Sequence, residues 1–553
     1  MPPRHKEGRP LTWAVFFLHK NTHYIIFFVY LCTFKSTPIL SMDEIITFLN
    51  SCVWSWPLVG LCLLGGLYFS FGTRFVQIRH FGEMVRLLFK NDKTKKEGIS
   101  SFQAFALALS GRVGTGNIVG VAMAIGFGGP GAIVWMWIIA FFGAGTAYAE
   151  ACLAQIYKQR HGNQLRGGPA YYIEKGLNCR WLAILFATLT VLACALCLPP
   201  IHSNSISMSF ASTFHIAPWM VGIAVAALIA LVVLGGVKRI SAVAEIVTPF
   251  MAIAYIVLSI VVLIVNIHEV PAAFHDMLTS AFGMHEALGG IVGSAIAWGV
   301  KRGIYSNEAG QGTAPIVAAA AKVDHPVKQG LVQGFSVYVD TLLVCTATAV
   351  MLLATKCYNI IDPDTGGYLV QSTTAELGQP SVEYTIAALG TLLGQSAGGI
   401  VISITLFFFA FTTVMAYYYY AETNLVYLFG KARERRIKIQ GKYYDISNEA
   451  EAQKRDQMLF DTQKDERRII TLLRILFIGS VFFGSLKEAG VIWSLGDMGV
   501  GMMAWINIIA ILLLSPKAFR ILRDYERQKK AGIKNPKFNP QDLNIKNADF
   551  WEE

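Results

Sequence analysis

Long apolar runs separated by short polar stretches recur along almost the whole chain; Trp181 to Leu198, Val221 to Leu234, Ala252 to Val265, Tyr338 to Ala354 and Ile400 to Met415 are examples. A bilayer core of roughly 30 Å needs about 20 apolar residues per helix, and the runs sit inside segments of that length. The pattern predicts an all-α polytopic membrane protein. Eleven spans are read from it, at 53–72, 102–127, 130–157, 181–198, 218–236, 243–265, 288–320, 330–355, 396–428, 469–484 and 490–514.

The polar stretches between spans alternate in charge. Arg74, Arg79, Arg86, Lys90, Lys93, Lys95 and Lys96 follow the first span, and Lys158, Arg160, Arg166, Lys175 and Arg180 follow the third. Lys238 with Arg239, Lys322 with Lys328, the stretch Lys431 to Arg468 and the tail from Lys517 continue the series. The intervening turn Gly128-Gly129-Pro130-Gly131, the loop around Glu269 and Asp276, and Pro199 to Pro218, which reads as an outer loop, carry no Lys or Arg, and the loop after 330–355 holds Asp362, Asp364 and Glu376. By the positive-inside rule the basic side is cytoplasmic, so residue 53 starts outside and the C-terminus lies inside. The expected setting is a cell membrane, with the C-terminus on its cytoplasmic face. Leu11 to Phe34 is apolar at both ends but holds His19, Lys20, Asn21, Thr22 and His23 at its middle, so a twelfth span and a translation start at Met42 both stay open.

Composition agrees with the pattern: 553 residues are 54% hydrophobic and 15% charged, against about 25% charged in soluble proteins. The net charge of +11 is spread over many loops rather than gathered in one basic domain, which argues against a nucleic-acid partner. The nine cysteines lie mostly in apolar runs, where they pack as small hydrophobes, and Cys194-x-x-Cys197 has no second ligand pair nearby. No H-E-x-x-H, G-x-S-x-G or G-x-x-x-x-G-K-[ST] occurs, so an enzyme is not expected.

Two spans are interrupted. Ser110-Gly111-Arg112-Val113-Gly114-Thr115-Gly116-Asn117 lies in the middle of 102–127. Glycines there weaken the helix, and a bilayer leaves freed backbone groups unsatisfied unless they line a cavity or meet a ligand. The second, Trp298 to Gly312 in span 288–320, gathers Lys301, Arg302, Asn307 and Glu308 among glycines at membrane depth. Ionisable residues there are functional by default, although mutual salt bridging would also account for Arg112, Lys301 and Arg302. Four complete spans separate the two breaks, so they head two five-span units inserted with opposite orientation, the inverted-repeat plan of secondary transporters. The expected division is 1–41 as an extension, 42–100 as an extra span and loop, 101–284 and 285–516 as the two repeats with the charged insert 430–468, and 517–553 as a tail. A third feature is Phe407 to Glu422, FFFAFTTVMAYYYYAE. The hydroxyls of Thr412 and Thr413 suit a small hard cation or, as membrane threonines usually do, bond back to their own helix.

At these residues the chain resembles the alanine or glycine:cation symporter family of bacteria and archaea. The stretches that carry the resemblance are RVGTGNIVGVAMAIGFGGPGAIVWMW (112–137), YAEACLA (148–154), GGPAYYIEKGL (167–177), VKRGIYSNEAGQGTAP (300–315), VDTLLVCTATA (339–349) and FAFTTVMAYYYYAE (409–422). The resemblance implies a LeuT-like fold, a 5+5 inverted repeat with one extra N-terminal helix, and import of a small neutral amino acid coupled to Na⁺. It places the amino-acid carboxylate and amine at Thr115, Gly116 and Asn117, with Gly303, Tyr305, Ser306 and Asn307 on or just after the partner break. Sodium falls to the Ser110 and Val113 carbonyls with the Thr412 and Thr413 hydroxyls. Ala416-Tyr417 stands where the family commonly has Gly-Trp, beside the substrate pocket, so Tyr417 leaves the amino acid open. A proton-coupled carrier using Glu308 or Glu150, and a channel or sensor, are the rival readings.

Overall fold

The computed structural model describes residues 42–89, 98–161, 164–284, 291–362, 365–372, 375–441, 449–487 and 489–552. The expected extension 1–41 lies outside them, as do Lys90, Lys93, Lys95 and Lys96 of the first basic loop. The chain divides between Phe48 and Leu49. Residues 42–48 belong to α1 (Met42–Val53), and the second part holds the remaining helices.

These are α2 (Trp56–Gly72), α3 (Ser101–Arg112), α4 (Val121–Gly128), α5 (Gly131–Ile156), α6 (Arg180–Phe214), α7 (Pro218–Val233), α8 (Gly236–Val265), α9 (Val270–Ala281), α10 (Val292–Asn307), α11 (Ala314–Ala320), α12 (Pro326–Thr355), α13 (Val382–Leu393), α14 (Gln395–Gly441), α15 (Glu449–Gly484) and α16 (Ala489–Lys530). Shorter helices and two small antiparallel hairpins, Gln159–His161 with Gln164–Arg166 and Ile360–Ile361 with Tyr368–Val370, connect them. Seven described helices are long and apolar enough to cross a membrane, eight if the bent pair α3 and Gly116–Gly128 counts as one span.

Sequence sets the ends of these helices. Ser100 and Gln103 form a capping box, the Ser100 hydroxyl accepting from Gln103 N at 3.0 Å and the Gln103 amide oxygen from Ser100 N at 3.0 Å, so α3 begins with its free amides satisfied. Gly129 at φ +70° turns the chain between α4 and α5. A Cβ on Gly131 would lie 2.5 Å from Ala281 N, so only glycine lets α5 meet α9 this closely.

The polarity is reversed relative to a soluble protein. Ile246, Phe250, Ile253, Val257, Ile260 and Ile264 of α8 are exposed at spacings of three and four, one helical stripe suited to lipid. Arg112, Asn117, Glu150, Arg302, Glu308 and Asp340 are buried. At the centre α5 packs along α10 and α12 and against α2 and α9.

The segment Pro199 to Pro218 corrects the sequence reading. It is no outer loop through most of its length: α6 continues through a π-helical turn, Ala193–Cys197, and on to Phe214. Pro199 and Pro200 are tolerated because they open the helical stretch after the wide turn, where a proline costs no backbone hydrogen bond. The Ser-rich polarity that suggests a loop is turned inward, since His202, Ser203, Asn204, Ser205, Ser207 and Ser209 are all buried.

Two cations within α10 are held structurally. Asp497 on α16 accepts from Lys301 Nζ at 2.7 Å and also pairs with Arg302. Leaving such a pair without its counter-charge costs about 3–5 kcal/mol. Asp497→Asn is therefore expected to lower the melting temperature of the detergent-solubilised protein by several degrees, read by thermal denaturation; an unchanged transition would show that Asp497 does not anchor α10.

Candidate functional site

Helix α3 ends at Arg112, Val113 takes an extended backbone (φ −78°, ψ 91°), and the chain resumes as a π-helical turn, Gly116–Gly120, leading into α4. The halves meet at 49°. A bend of this size releases carbonyls that a continuous helix would bind. Those of Ser110 and Val113 face α14, where Thr413 Oγ1 lies 2.8 Å from Ser110 O, 3.3 Å from Val113 O and 2.8 Å from Phe409 O of its own helix. One hydroxyl has one hydrogen to give. The Ser110 and Val113 carbonyls released by the break thus share one hydroxyl hydrogen with a carbonyl of α14 in a buried place, an electron-rich cluster suited to a hard cation.

Glycine permits this approach. A Cβ on Gly114 would come 2.5 Å from Thr413 Oγ1 and 3.1 Å from His202 Cε1. Thr412 is not brought into the cluster: its hydroxyl donates to Phe408 O at 3.0 Å or Phe409 O at 3.1 Å and faces Met251. The next residue along the helix points about 100° away, so one of two adjacent threonines turns from the break.

Beside the cluster the two interrupted helices touch. A Cβ on Gly116 would meet Tyr305 Cδ1 at 3.2 Å and Ser306 Cα at 3.4 Å, so α10 rests against the bare backbone of the first break. Thr115 Oγ1 lies 3.1 Å from His202 Nδ1, and His202 packs edge-on to Tyr417 with ring centres 5.3 Å apart. Asn117 spans the break, its oxygen accepting from Gly114 N at 2.8 Å and its amide donating to Asp340 Oδ1 at 2.7 Å. The other oxygen of Asp340 accepts from Ser306 Oγ at 2.8 Å and Thr341 Oγ1 at 2.7 Å. Tyr305 stacks toward Trp493, with ring centres 5.2 Å apart. All of these residues are buried.

Two expected residues lie elsewhere. Gly303 packs directly against Ile139 of α5, a close helix contact rather than a cavity wall. Asn307 ends α10, its side-chain oxygen accepting from Ala309 N at 2.9 Å. The second break also begins later than expected. Helical bonding continues to Glu308 N, which donates to Ile304 O at 2.9 Å, and the chain then turns through Glu308, Gly310 and Gly312 at φ +55°, +88° and +90°. Gly303, Tyr305, Ser306 and Asn307 therefore precede the break, because the glycines needed for left-handed backbone are Gly310 and Gly312.

Sequence reasoning missed three contributors. The Phe409 carbonyl carries no side-chain signal. His202 sits in the stretch taken for a loop. Asp340 could have been found, as a carboxylate inside the apolar run 330–355.

The sequence profile of the sodium:alanine symporter family matches residues 40–440 and 446–540. YrbD of Bacillus subtilis (strain 168) is 48% identical over 93% of this chain and 98% of its own length. The sodium/proton-dependent alanine carrier protein of Bacillus sp. (strain PS3) is 44% identical over 85% of this chain and 97% of its own. The sodium/alanine symporter AgcS of Methanococcus maripaludis is 36% identical over 87% and 98%. With buried polar breaks inside an apolar helical shell and a match along nearly its whole length, the chain belongs to the sodium:alanine symporter family, multi-pass membrane transporters rather than enzymes.

Proposed function

We propose that the protein imports a small neutral amino acid, alanine or glycine, together with Na⁺ by alternating access. The observation that carries the reading is the Thr413 hydroxyl set among the Ser110, Val113 and Phe409 carbonyls, one hydroxyl hydrogen facing three buried carbonyl oxygens. Sodium at this point would be held by oxygens of both α14 and the broken helix, and would fix the backbone from Gly111 to Gly116. The adjacent backbone and side chains at Thr115, Gly116 and Asn117, closed by Tyr305, Ser306 and Tyr417, would receive the amino acid, whose zwitterion needs both donors and acceptors. Each cargo then favours the other, a reciprocal coupling of binding free energies. A potential of 100 mV adds about 2.3 kcal/mol per charge moved, nearly two decades of accumulation.

The scaffold proposed for this cycle is the LeuT-like one: repeats 101–284 and 285–516 of opposite orientation, an extra span in 42–100, and the insert 430–468 with the tail 517–553 on the cytoplasmic side of a prokaryotic plasma membrane. The relatives' names, alanine carrier and sodium/alanine symporter, favour alanine and sodium. The name sodium/proton-dependent also supports a second reading, in which a proton rides on buried Glu308 or Glu150.

Labelled alanine uptake into proteoliposomes decides between them. Accumulation above equilibrium is expected with an inward Na⁺ gradient at fixed pH and is expected to vanish when Na⁺ is replaced; uptake unchanged without Na⁺ sinks the sodium reading, and equilibration without accumulation points to a channel. Asn117→Ala is expected to reduce uptake roughly tenfold or more while the protein still elutes as a folded species. Wild-type kinetics would remove Asn117 from the site. Gly114→Ala is expected to lower both uptake and melting temperature, whereas Gly60→Ala, where a Cβ meets nothing within 4 Å, leaves uptake unaltered; equal effects of the two would show that the close approach to Thr413 is dispensable.

A further inference from the structure

Two turns along α14 from the Thr413 cluster lies a second group of buried polar side chains that the proposed cycle does not use. Tyr420 stands seven residues after Thr413 on α14, two helical turns and roughly 10 Å toward the charged insert, on the same helix face. Its hydroxyl donates to Glu308 Oε2 at 3.2 Å. Glu308 Oε1 is aimed at the first break: it would be 3.4 Å from a Cβ on Gly111, the residue after the Ser110 carbonyl. The Thr313 hydroxyl lies against the Glu308 carboxylate, Oε1 has no other close polar partner among the described residues, and Glu308 is fully buried.

The charge of this group is unbalanced. Arg112 feels Glu308, Asp340 and Glu150, three carboxylates to one guanidinium among the described residues. It forms no ion pair with any of them, donating instead to Gln333 O at 3.1 Å and to Ser336. Glu150 has one oxygen bound by Asn507 Nδ2 at 2.9 Å and the other without a partner. Lys301 and Arg302, buried elsewhere on α10, are committed to Asp497. An excess of buried negative charge is costly unless a cation enters, and the free groups around Glu308 are oxygens, the donors a hard monovalent ion prefers.

We propose that Glu308, with the Tyr420 and Thr313 hydroxyls, forms a second cation station that takes the sodium ion from the Thr413 cluster and passes it toward the charged insert. The break places it there: Glu308 ends α10 in left-handed backbone at φ +55°, which swings its side chain across to Gly111 and α14. The Tyr420 hydroxyl, two turns beyond Thr413 on α14, links the upper cluster's helix to this carboxylate. The station discharges the upper site, so it governs release of the ion rather than binding of the amino acid. This assignment rests on the sodium-coupled reading.

Two assays on the full-length protein in proteoliposomes separate release from binding. Net alanine accumulation driven by a Na⁺ gradient requires the ion to leave. Exchange of labelled for unlabelled alanine, with equal saturating Na⁺ on both sides, does not. Glu308→Gln is expected to lower net accumulation roughly tenfold while exchange stays within about twofold of wild type, and Glu308→Asp, which keeps the charge, is expected to recover part of the net rate. A parallel fall of both rates, or no fall in either, overturns the station. Loss of pH dependence alone, with net sodium-driven uptake intact, overturns it in favour of a proton site. Where Glu308→Gln does not reach the membrane, Tyr420→Phe run through the same two assays decides by the same outcomes. Failure of sodium coupling itself would appear in the wild type as no Na⁺-driven accumulation, and is thereby distinct.

Discussion

A broken helix inside a bilayer must find partners for the carbonyls it releases, and here that obligation falls on one hydroxyl. Water is absent from the hydrocarbon core, so an unpaired backbone group there costs several kcal/mol. Thr413 offers a single hydrogen to Ser110 O, Val113 O and Phe409 O. The arrangement leaves more carbonyl oxygen than hydroxyl hydrogen at the break, which is why a cation is proposed there. Much of the surrounding architecture follows: Gly111 and Gly114 are bare so that α14 can approach, and Gly116 is bare so that α10 can close on the same point from the other side.

The buried charges divide into those that hold the frame and those that remain unbalanced. Lys301 and Arg302 share Asp497, tying α10 to α16, and Arg166 meets Glu422 at 2.5 Å, tying the hairpin to α14. Arg112, Glu308 and Glu150 form no ion pairs with one another and retain unpaired atoms. They surround the junction of the two breaks. A frame held by closed ion pairs, enclosing a core with open ones, suits a transporter whose interior must accept and give up ions.

Much of this was legible in the sequence because a membrane writes its demands in long-range composition. Apolar length and loop charge predict spans, and glycines among polar residues at membrane depth predict the first break where it is found. Hydroxyls at 412 and 413 pointed to the right turn of α14, but sequence could not say which of two adjacent threonines faces the break, since that depends on the helix's rotation against α3. Polarity misled at Pro199 to Pro218, where serines and His202 line an interior rather than a loop. Gly303, a packing glycine against Ile139, resembles a hinge glycine in sequence, whereas the chain turns several residues later, through Glu308, Gly310 and Gly312 at positive φ.

The most direct test is equilibrium binding of radioactive sodium to the purified protein, comparing wild type with Thr413→Val, which keeps the side chain's shape and removes its oxygen. The account predicts saturable sodium binding by the wild type, strengthened by alanine, and a loss of roughly tenfold or more in affinity for Thr413→Val with the protein still folded. Sodium binding by Thr413→Val that matches wild type, in affinity and in its response to alanine, would contradict it.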